Sequence, residues 1–331
     1  MYRKTTALSC LAACATLALA GGPVAYAPNS LNTNADDSDD LIMFDPHNPS
    51  GYTVIGSMDV ENIGFGGMDF DADGNLWAYA SFYKSTGGAA SGLYRVDMQT
   101  GKATPQGFNL QSLQDIAFNP ADGKMYGINT RQASMTTLYE IDLVSGAATP
   151  IDLFSGLQTP HIINGFAFDS QGNMYLQDHN SDMIYVTDDV SNPLTSLITL
   201  PQDNNYSQGM TIDWSRDDTG YHAAVGQGVF PNYFSQVNTF SIDGSTYTLG
   251  DSFGPNDQEG LPPVQPGDIA LPPADQCAAD LTGDGQLNFF DVSAFLSAFA
   301  SQDPVADFTG DGSYDFFDVS AFLSAFSSGC P

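Results

Sequence analysis

Gly67-Met-Asp-Phe-Asp-Ala-Asp-Gly-Asn-Leu-Trp-Ala-Tyr79 joins an apolar stretch to an aromatic one through a tight Asp/Gly/Asn turn. It returns, less closely, as Asp115-Ile-Ala-Phe-Asn-Pro-Ala-Asp-Gly-Lys-Met-Tyr-Gly127, Gly165-Phe-Ala-Phe-Asp-Ser-Gln-Gly-Asn-Met-Tyr-Leu176 and Gly209-Met-Thr-Ile-Asp-Trp-Ser-Arg-Asp-Asp-Thr-Gly-Tyr221. Each has the composition of a β-hairpin. A second half-unit follows each one: Leu93-Tyr-Arg-Val-Asp97, Leu138-Tyr-Glu-Ile-Asp142, Ile184-Tyr-Val-Thr-Asp188 and Thr239-Phe-Ser-Ile-Asp243. Three of these run through a Gly- or Pro-containing turn into another short strand. Two hairpins per unit, recurring every 44 to 50 residues, is the period of a four-stranded propeller blade.

Working outward, a lone second half, Leu41-Ile-Met-Phe-Asp45 then Tyr52-Thr-Val-Ile-Gly56, precedes the first full unit. A propeller has to close, because an open ring leaves strand edges unpaired. The orphan amino-terminal strands therefore call for partners from the far end, and Gly267-Asp-Ile-Ala-Leu271 is the candidate. The arithmetic favours five blades over residues 41–254, with one strand unaccounted for. Six blades and an open β-solenoid stay open. Residues 255–275, which hold six prolines, read as a semi-rigid linker.

Beyond the linker, Asp280-Leu-Thr-Gly-Asp-Gly-Gln-Leu-Asn-Phe-Phe-Asp291 returns 27 residues later as Asp307-Phe-Thr-Gly-Asp-Gly-Ser-Tyr-Asp-Phe-Phe-Asp318. A twelve-residue calcium loop offers oxygens from positions 1, 3, 5, 7, 9 and 12 and turns on Gly at 6. Here those positions are Asp280, Thr282, Asp284, Gln286, Asn288 and Asp291, then Asp307, Thr309, Asp311, Ser313, Asp315 and Asp318, with Gly285 and Gly312 at the turns. Two Ca²⁺ ions are expected. The competing reading is two acidic turns that cap helices and bind nothing. Val292, Phe295, Leu296 and Phe299, repeated as Val319, Phe322, Leu323 and Phe326, form apolar stripes at helical spacing that predict two helices packed together.

The paired loop–helix pattern over 277–330 resembles the dockerin family, and the ending Ser-Ser-Gly-Cys-Pro is similar to a cysteine-flanked dockerin subclass. The resemblance implies a small all-α calcium module at 276–331, two calcium ions and a cohesin-like receptor or surface complex as partner. Loop positions 10 and 11, where the family chooses its receptor, are Phe289-Phe290 and Phe316-Phe317. The repeats of 41–271 resemble secreted propellers with a Phe-Asp-x-x-Gly-Asn turn, a class of sugar and protein binders, lyases and lactonases. That class does not choose a function.

The amino terminus has the form of an export signal over 1–27. Met1-Tyr-Arg-Lys4 is basic, Ala7 to Ala20 is mostly apolar, and Ala25-Tyr26-Ala27 is a small-x-small cleavage site, with Ala18-Leu19-Ala20 as a competitor. Leu11-Ala12-Ala13-Cys14 is a weaker lipid-attachment alternative. Residues 28–40 are expected as a loose leader. This predicts bacterial export to the extracellular space or cell surface, with no transmembrane segment in the mature chain. Cys10 and Cys14 lie in the signal, so Cys277 and Cys330 remain, and in an oxidising compartment they are expected to form a disulfide. Closing that loop stabilises by about 4 kcal/mol on the chain-entropy account.

The full chain carries 8 basic and 39 acidic residues, a formal net charge of −31. From Asp217 onward there is no Lys or Arg. Such a chain repels nucleic acid and attracts multivalent cations. No Gly-x-Ser-x-Gly, phosphate loop, Cys-x-x-Cys or His-Glu-x-x-His occurs. His161, His179 or His222 with Asp178 or Glu259 could form a funnel metal or acid–base site, though turn and strand-end roles suit them better. Asp69 to Asn75 mimics the start of a calcium loop but reads as a blade turn. Trp77, Tyr79, Phe82, Tyr83 and Tyr94 could form a sugar platform, and core positions suit them better. The expected function is a non-catalytic binding propeller, with a glycan or protein ligand, tethered by a calcium-dependent module. The alternative is a polysaccharide lyase or glycoside hydrolase, uncertain as an enzyme without convergent acids.

Overall fold

The computed structural model describes residues 23–30, 38–61, 63–83, 91–108, 112–129, 136–154, 162–201, 206–227, 234–254, 264–273, 279, 281, 287–309 and 313–328. Two compact units are present, one spanning Pro23–Gln276 and one containing Cys277–Pro331.

The first unit is a five-bladed β-propeller with four-stranded blades. Strands β1 (Ala25–Asn29), β2 (Asp40–Asp45) and β3 (Asn48–Ser57) lie in the first blade. The second blade is β4 (Ile63–Phe70), β5 (Leu76–Tyr83), β6 (Gly92–Val96) and β7 (Ala103–Phe108). The third is β8 (Asp115–Asn119), β9 (Lys124–Asn129), β10 (Thr137–Ile141) and β11 (Ala148–Leu153). The fourth is β12 (Ile163–Phe168), β13 (Met174–Asp178), β14 (Met183–Thr187) and β15 (Thr195–Thr199). The fifth is β16 (Tyr206–Ile212), β17 (Gly220–Gln227), β18 (Phe234–Phe240) and β19 (Tyr247–Thr248). Every pairing is antiparallel, as short hairpin connections require.

The inner strand of the first blade comes from residues 264–271. Tyr26 N–H donates to the Ala270 carbonyl at 2.8 Å and Ala270 N–H returns the bond to Tyr26 at 2.9 Å. Gly267 N–H donates to the Pro28 carbonyl, and Ser30 N–H to that of Gln265. The closing strand expected at 267–271 is therefore in place, and β1 is the strand that the sequence count lacked. Two expected boundaries move as a result. Part of the 255–275 linker is blade interior, with Val264, Ile269, Ala270 and Leu271 buried. The end of the signal and the start of the leader, 25–29, are a buried strand.

The core is divided into five clusters, one for each pair of neighbouring blades. Phe65, Phe70 and Tyr94 fill the first–second interface, with Leu41 and Ala270. Ile42, Phe44, Tyr221, Val237 and Phe253 fill the fifth–first, which joins the two ends of the chain. A large apolar side chain buried this way stabilises by about 1.5–3 kcal/mol. Outer strands such as β11 are almost wholly exposed, whereas β4 and β8 are wholly buried.

In the second unit, α1 (Phe289–Ser301) and α2 (Phe316–Ser328) are joined through a 3₁₀ turn at Pro304–Ala306. Their packing follows the expected stripes in part. Phe295 and Phe322 are buried, with ring centroids 4.1 Å apart and planes within 4°. Phe308 meets both rings edge-on. Leu296 and Leu323, expected in the seam, are 56% and 51% exposed. One turn of helix carries more apolar width than a two-helix contact can cover. Among the described residues no helix is long and apolar enough to cross a membrane.

Candidate functional site

The repeat places Gly67, Asp115, Gly165, Gly209 and Asp268 at equivalent positions on the five inner strands. Each aspartate acts as a staple. Asp115 Oδ1 accepts from its own neighbour, Ile116 N–H, at 2.7 Å, and Oδ2 accepts Phe166 N–H of the next blade at 2.7 Å. Asp268 does the same with Ile269 N–H at 2.7 Å and Met68 N–H at 2.5 Å. Asp69 joins Phe70 N–H to Phe118 N–H, both at 2.8 Å. Asp39 accepts Phe65 N–H.

The Asp115 and Asp268 carboxyls also hydrogen-bond to each other. They belong to non-adjacent blades, so they meet across the propeller axis. The glycines make room: a Cβ at Gly209 would fall 1.8 Å from Asp268 Oδ1, and its φ of +87° already disfavours a side chain. Burial raises both carboxyls well above the ordinary range, and their mutual repulsion adds to it at Asp115. Burial also pushes Asp69 up to about 7. The pair holds a proton between two otherwise saturated acceptors, a structural bolt rather than an open acid–base pair.

The blade turns use aspartate differently. Asp71 Oδ1 accepts the Asp73 and Asn75 N–H groups, and Oδ2 accepts Asn75 Nδ2 and Trp77 Nε1. Four donors satisfy that carboxylate, so Asp69 to Asn75 is a blade turn. Asp169 repeats the pattern with Gln171, Asn173 and Tyr175. Trp77, Tyr79 and Tyr94 are buried core residues, not a platform. The side chains of Phe82 and Tyr83 lie outside the described residues, as do His161 and Glu259. Asp178 is buried and accepts from Ile162 N–H, Asn180 N–H and Ser181 Oγ. His222 is buried with Nδ1 2.9 Å from the Tyr247 hydroxyl, and burial pushes its imidazole down to about 4.

An open cleft of about 600 Å³ lies on the second blade, lined by Asn75, Arg95, Asp97, Gln99, Thr104 and Gln106. Arg95 extends from β6 and donates through Nη2 to Asn75 Oδ1. The lining offers donors and acceptors together with the apolar edges of Leu76, Val96 and Met98.

In the tail, Asp280, Thr282, Asp284, Gln286 and Asp311 lie outside the described residues, as do Cys277 and Cys330. The remaining loop positions converge on the helix starts. Asn288 caps α1, accepting Phe290 N–H at 2.8 Å, and its own N–H donates to Asp291 Oδ2 at 2.9 Å. Asp315 accepts Phe317 N–H at 2.7 Å, and its N–H donates to Asp318 Oδ2 at 2.8 Å. Asp318 Oδ1 takes Thr309 Oγ1 at 2.9 Å, and the same hydroxyl lies 3.5 Å from Asp307 Oδ1. Positions 1, 3, 9 and 12 of the second loop are thus linked, while Ser313 is exposed. The Asp315 and Thr309 backbone N–H groups hold Asp318 below the usual carboxylate range. Phe289, Phe290, Phe316 and Phe317 stand in solvent, 67–76% exposed. Among the described residues no three His, Cys, Asp or Glu side chains are grouped as a metal site.

The family model of the SMP-30/gluconolactonase/LRE-like region matches residues 37–208, just over half of the chain. The chain belongs to the SMP-30/gluconolactonase/LRE-like family. No curated protein matches it. Among solved structures it is similar to a calcium-binding protein, regucalcin, from Agrobacterium tumefaciens, at 15% identity and a TM-score of 0.40, over 64% of this chain and 66% of that one. A nidogen/laminin complex aligns at 10% identity and a TM-score of 0.46, over 76% and 98%. TolB from Acinetobacter baumannii aligns at 16% and 0.42, over 72% and 54%. This chain thus spans just under two thirds of that regucalcin and about half of TolB.

The family match runs from β2 into β16 and includes Asp39, Asp69 and Asp115 but not Asp268. The axial staple was missed by sequence reasoning, although its signal was present. Asp115-Ile-Ala117 and Asp268-Ile-Ala270 are the same triad, each followed by a large apolar residue, in the third and first blades of this family member.

Proposed function

We propose that this family member is an exported, non-catalytic binding propeller, tethered to a cohesin-like receptor or surface complex through a calcium-ordered, dockerin-like tail. The observation that carries the reading is the duplicated helix start. Asp291 and Asp318 are wholly buried carboxylates in a segment without a basic residue, and beside each an aromatic pair stands in solvent. Cap hydrogen bonds keep the Asp318 carboxylate ionised, and two Ca²⁺ ions would add, through oxygen ligands, the positive charge that this acid-rich segment lacks. Loop closure would then fix Phe289, Phe290, Phe316 and Phe317 as the contact surface.

The propeller's ligand is proposed to be polar and uncharged overall, a glycan or a polar protein segment, seated in the cleft around Arg95 and Asn75. Nothing in the family match favours a polysaccharide lyase or a glycoside hydrolase. The family name also supports a second reading, lactone hydrolysis.

Calorimetric titration of the full chain with Ca²⁺, followed by capture of a purified cohesin panel with and without EDTA, tests the tether. Two bound ions and EDTA-sensitive capture are expected; capture indifferent to EDTA sinks the reading. Turnover of an aldonolactone above the uncatalysed rate would replace the non-catalytic reading with the second one.

A further inference from the structure

We infer that export processing cuts the Ala20–Gly21 bond, leaving β1, Ala25–Asn29, on the mature protein as the strand that closes the propeller. The inference rests on the export reading above. In the cut, the amide C–N bond breaks, water adds hydroxyl to the Ala20 carbonyl carbon, and the Gly21 nitrogen leaves as an amine. Water is the reagent, its remaining proton going to the Gly21 amine, and the catalyst is the host's signal protease, which takes small residues at the first and third positions before the cut, as Ala18 and Ala20 provide.

The sequence holds a second small-x-small site, Ala25-Tyr26-Ala27, and the fold argues against its use. Residues 25–29 are β1, paired with β2 in register from Ala25↔Phe44 to Asn29↔Asp40. On its other side β1 holds the inner strand through Tyr26–Ala270 and Pro28–Gly267, residues more than two hundred positions away. Ala25 and Ala27 are fully buried in the cluster that joins the fifth blade to the first. The Tyr26 ring packs edge-on against Phe70 of the second blade, 5.6 Å between centroids. A cut after Ala27 would remove both Tyr26–Ala270 bonds and empty two core positions. It would also create a charged imino terminus at Pro28, a buried residue.

The bond itself is also a poor substrate. Its nitrogen belongs to Pro28, so it is a tertiary amide whose ring fixes φ and leaves no N–H for a protease to bind. The Ala20–Gly21 bond has neither obstacle. In the sequence, Gly21-Gly22-Pro23 follow that cut, and β1 begins at Ala25.

The full chain should be expressed in an exporting bacterium, recovered from outside the cytoplasm, and its amino terminus read by intact mass and terminal sequencing. A chain starting at Gly21 is expected. A start at Pro28, or at a lipid-bearing Cys14, overturns the inference while leaving export standing. An uncut chain held in the cytoplasm sinks export and the cut together. As a second measurement, chains of 21–331, 24–331 and 28–331 should be melted side by side. The first two are expected to match, and the third to melt lower by about 10 °C or to remain unfolded. Equal melting of 21–331 and 28–331 overturns the role given to β1.

Discussion

Asp115 of the third blade and Asp268 of the first share a hydrogen bond across the propeller axis. Each also clamps the backbone of the blade that follows it. One contact therefore ties together the early, middle and late parts of the chain. The inner strands hold their places in the ring through hydrogen bonds as well as through apolar packing.

The axial acids make the propeller alkali-sensitive. A carboxyl whose folded pKa is raised stabilises fully below its unfolded value, near 4, and loses that contribution as pH rises through the folded value. For Asp69 the loss runs from its unfolded value, near 4, to about 7, and Asp115 and Asp268 add to it because both are raised. Thermal melts between pH 5 and pH 9 should fall steadily. Asp268→Asn should lower stability at pH 5 by about 1–3 kcal/mol, since one backbone N–H loses its acceptor. It should also flatten the fall of stability with rising pH, because the pair's raised carboxyls are reduced to one. A slope equal to that of the parent chain would count against the shared proton.

Closure depends on residues 264–271. A chain ending at residue 254, the boundary that repeats alone suggest, should lack cooperative unfolding and aggregate through the open edge of β1. A chain ending at residue 273 should keep a single propeller transition. Circular dichroism melts and size-exclusion profiles of the two distinguish these outcomes.

The tail core is carried by two stacked rings. Phe322→Ala removes a fully buried aromatic side chain and should cost about 3–5 kcal/mol of module stability. The loss should appear as reduced helical ellipticity near 222 nm. Phe316→Ser, at a side chain 75% exposed, should leave that signal unchanged and weaken receptor capture. Equal effects of the two on helicity would refute this division of labour.

Calcium removal should loosen the same helices. Asp318→Ala deletes the position-12 carboxylate and three of its hydrogen bonds, to Asp315 N–H, Thr309 N–H and Thr309 Oγ1. It should reduce bound Ca²⁺ from two ions to one, and Asp291→Ala should do the same for the other loop. In EDTA the parent chain should lose helicity while its β-sheet signal holds. Two ions retained by Asp318→Ala would show that these loops are caps only.

Gly209→Ala should be among the most damaging small changes in the propeller. Its Cβ would strike the Asp268 carboxylate and its φ lies in the left-handed region. Gly74→Ala shares the positive φ but meets nothing within 4 Å, so its cost should stay near about 1 kcal/mol. Comparing the two by denaturant titration separates backbone strain from axial crowding.

By itself, the sequence determined everything local. The Asp/Gly/Asn turns and alternating strands specify hairpins whose partners lie a few residues away, so blades two to five were readable, and the period of Phe295 and Phe322 specified two helices. What needed the tertiary structure was pairing at long range. Ala25-Tyr-Ala-Pro-Asn29 carries no strand signal of its own, and it imitates a cleavage motif because small residues serve a tight blade interior as well as a protease. Only residues 266–270, brought back across the closed ring, supply its second hydrogen-bonded edge. The protonated pair at Asp115 and Asp268 is likewise a property of the closed ring: burial creates it, and no window of sequence contains both partners.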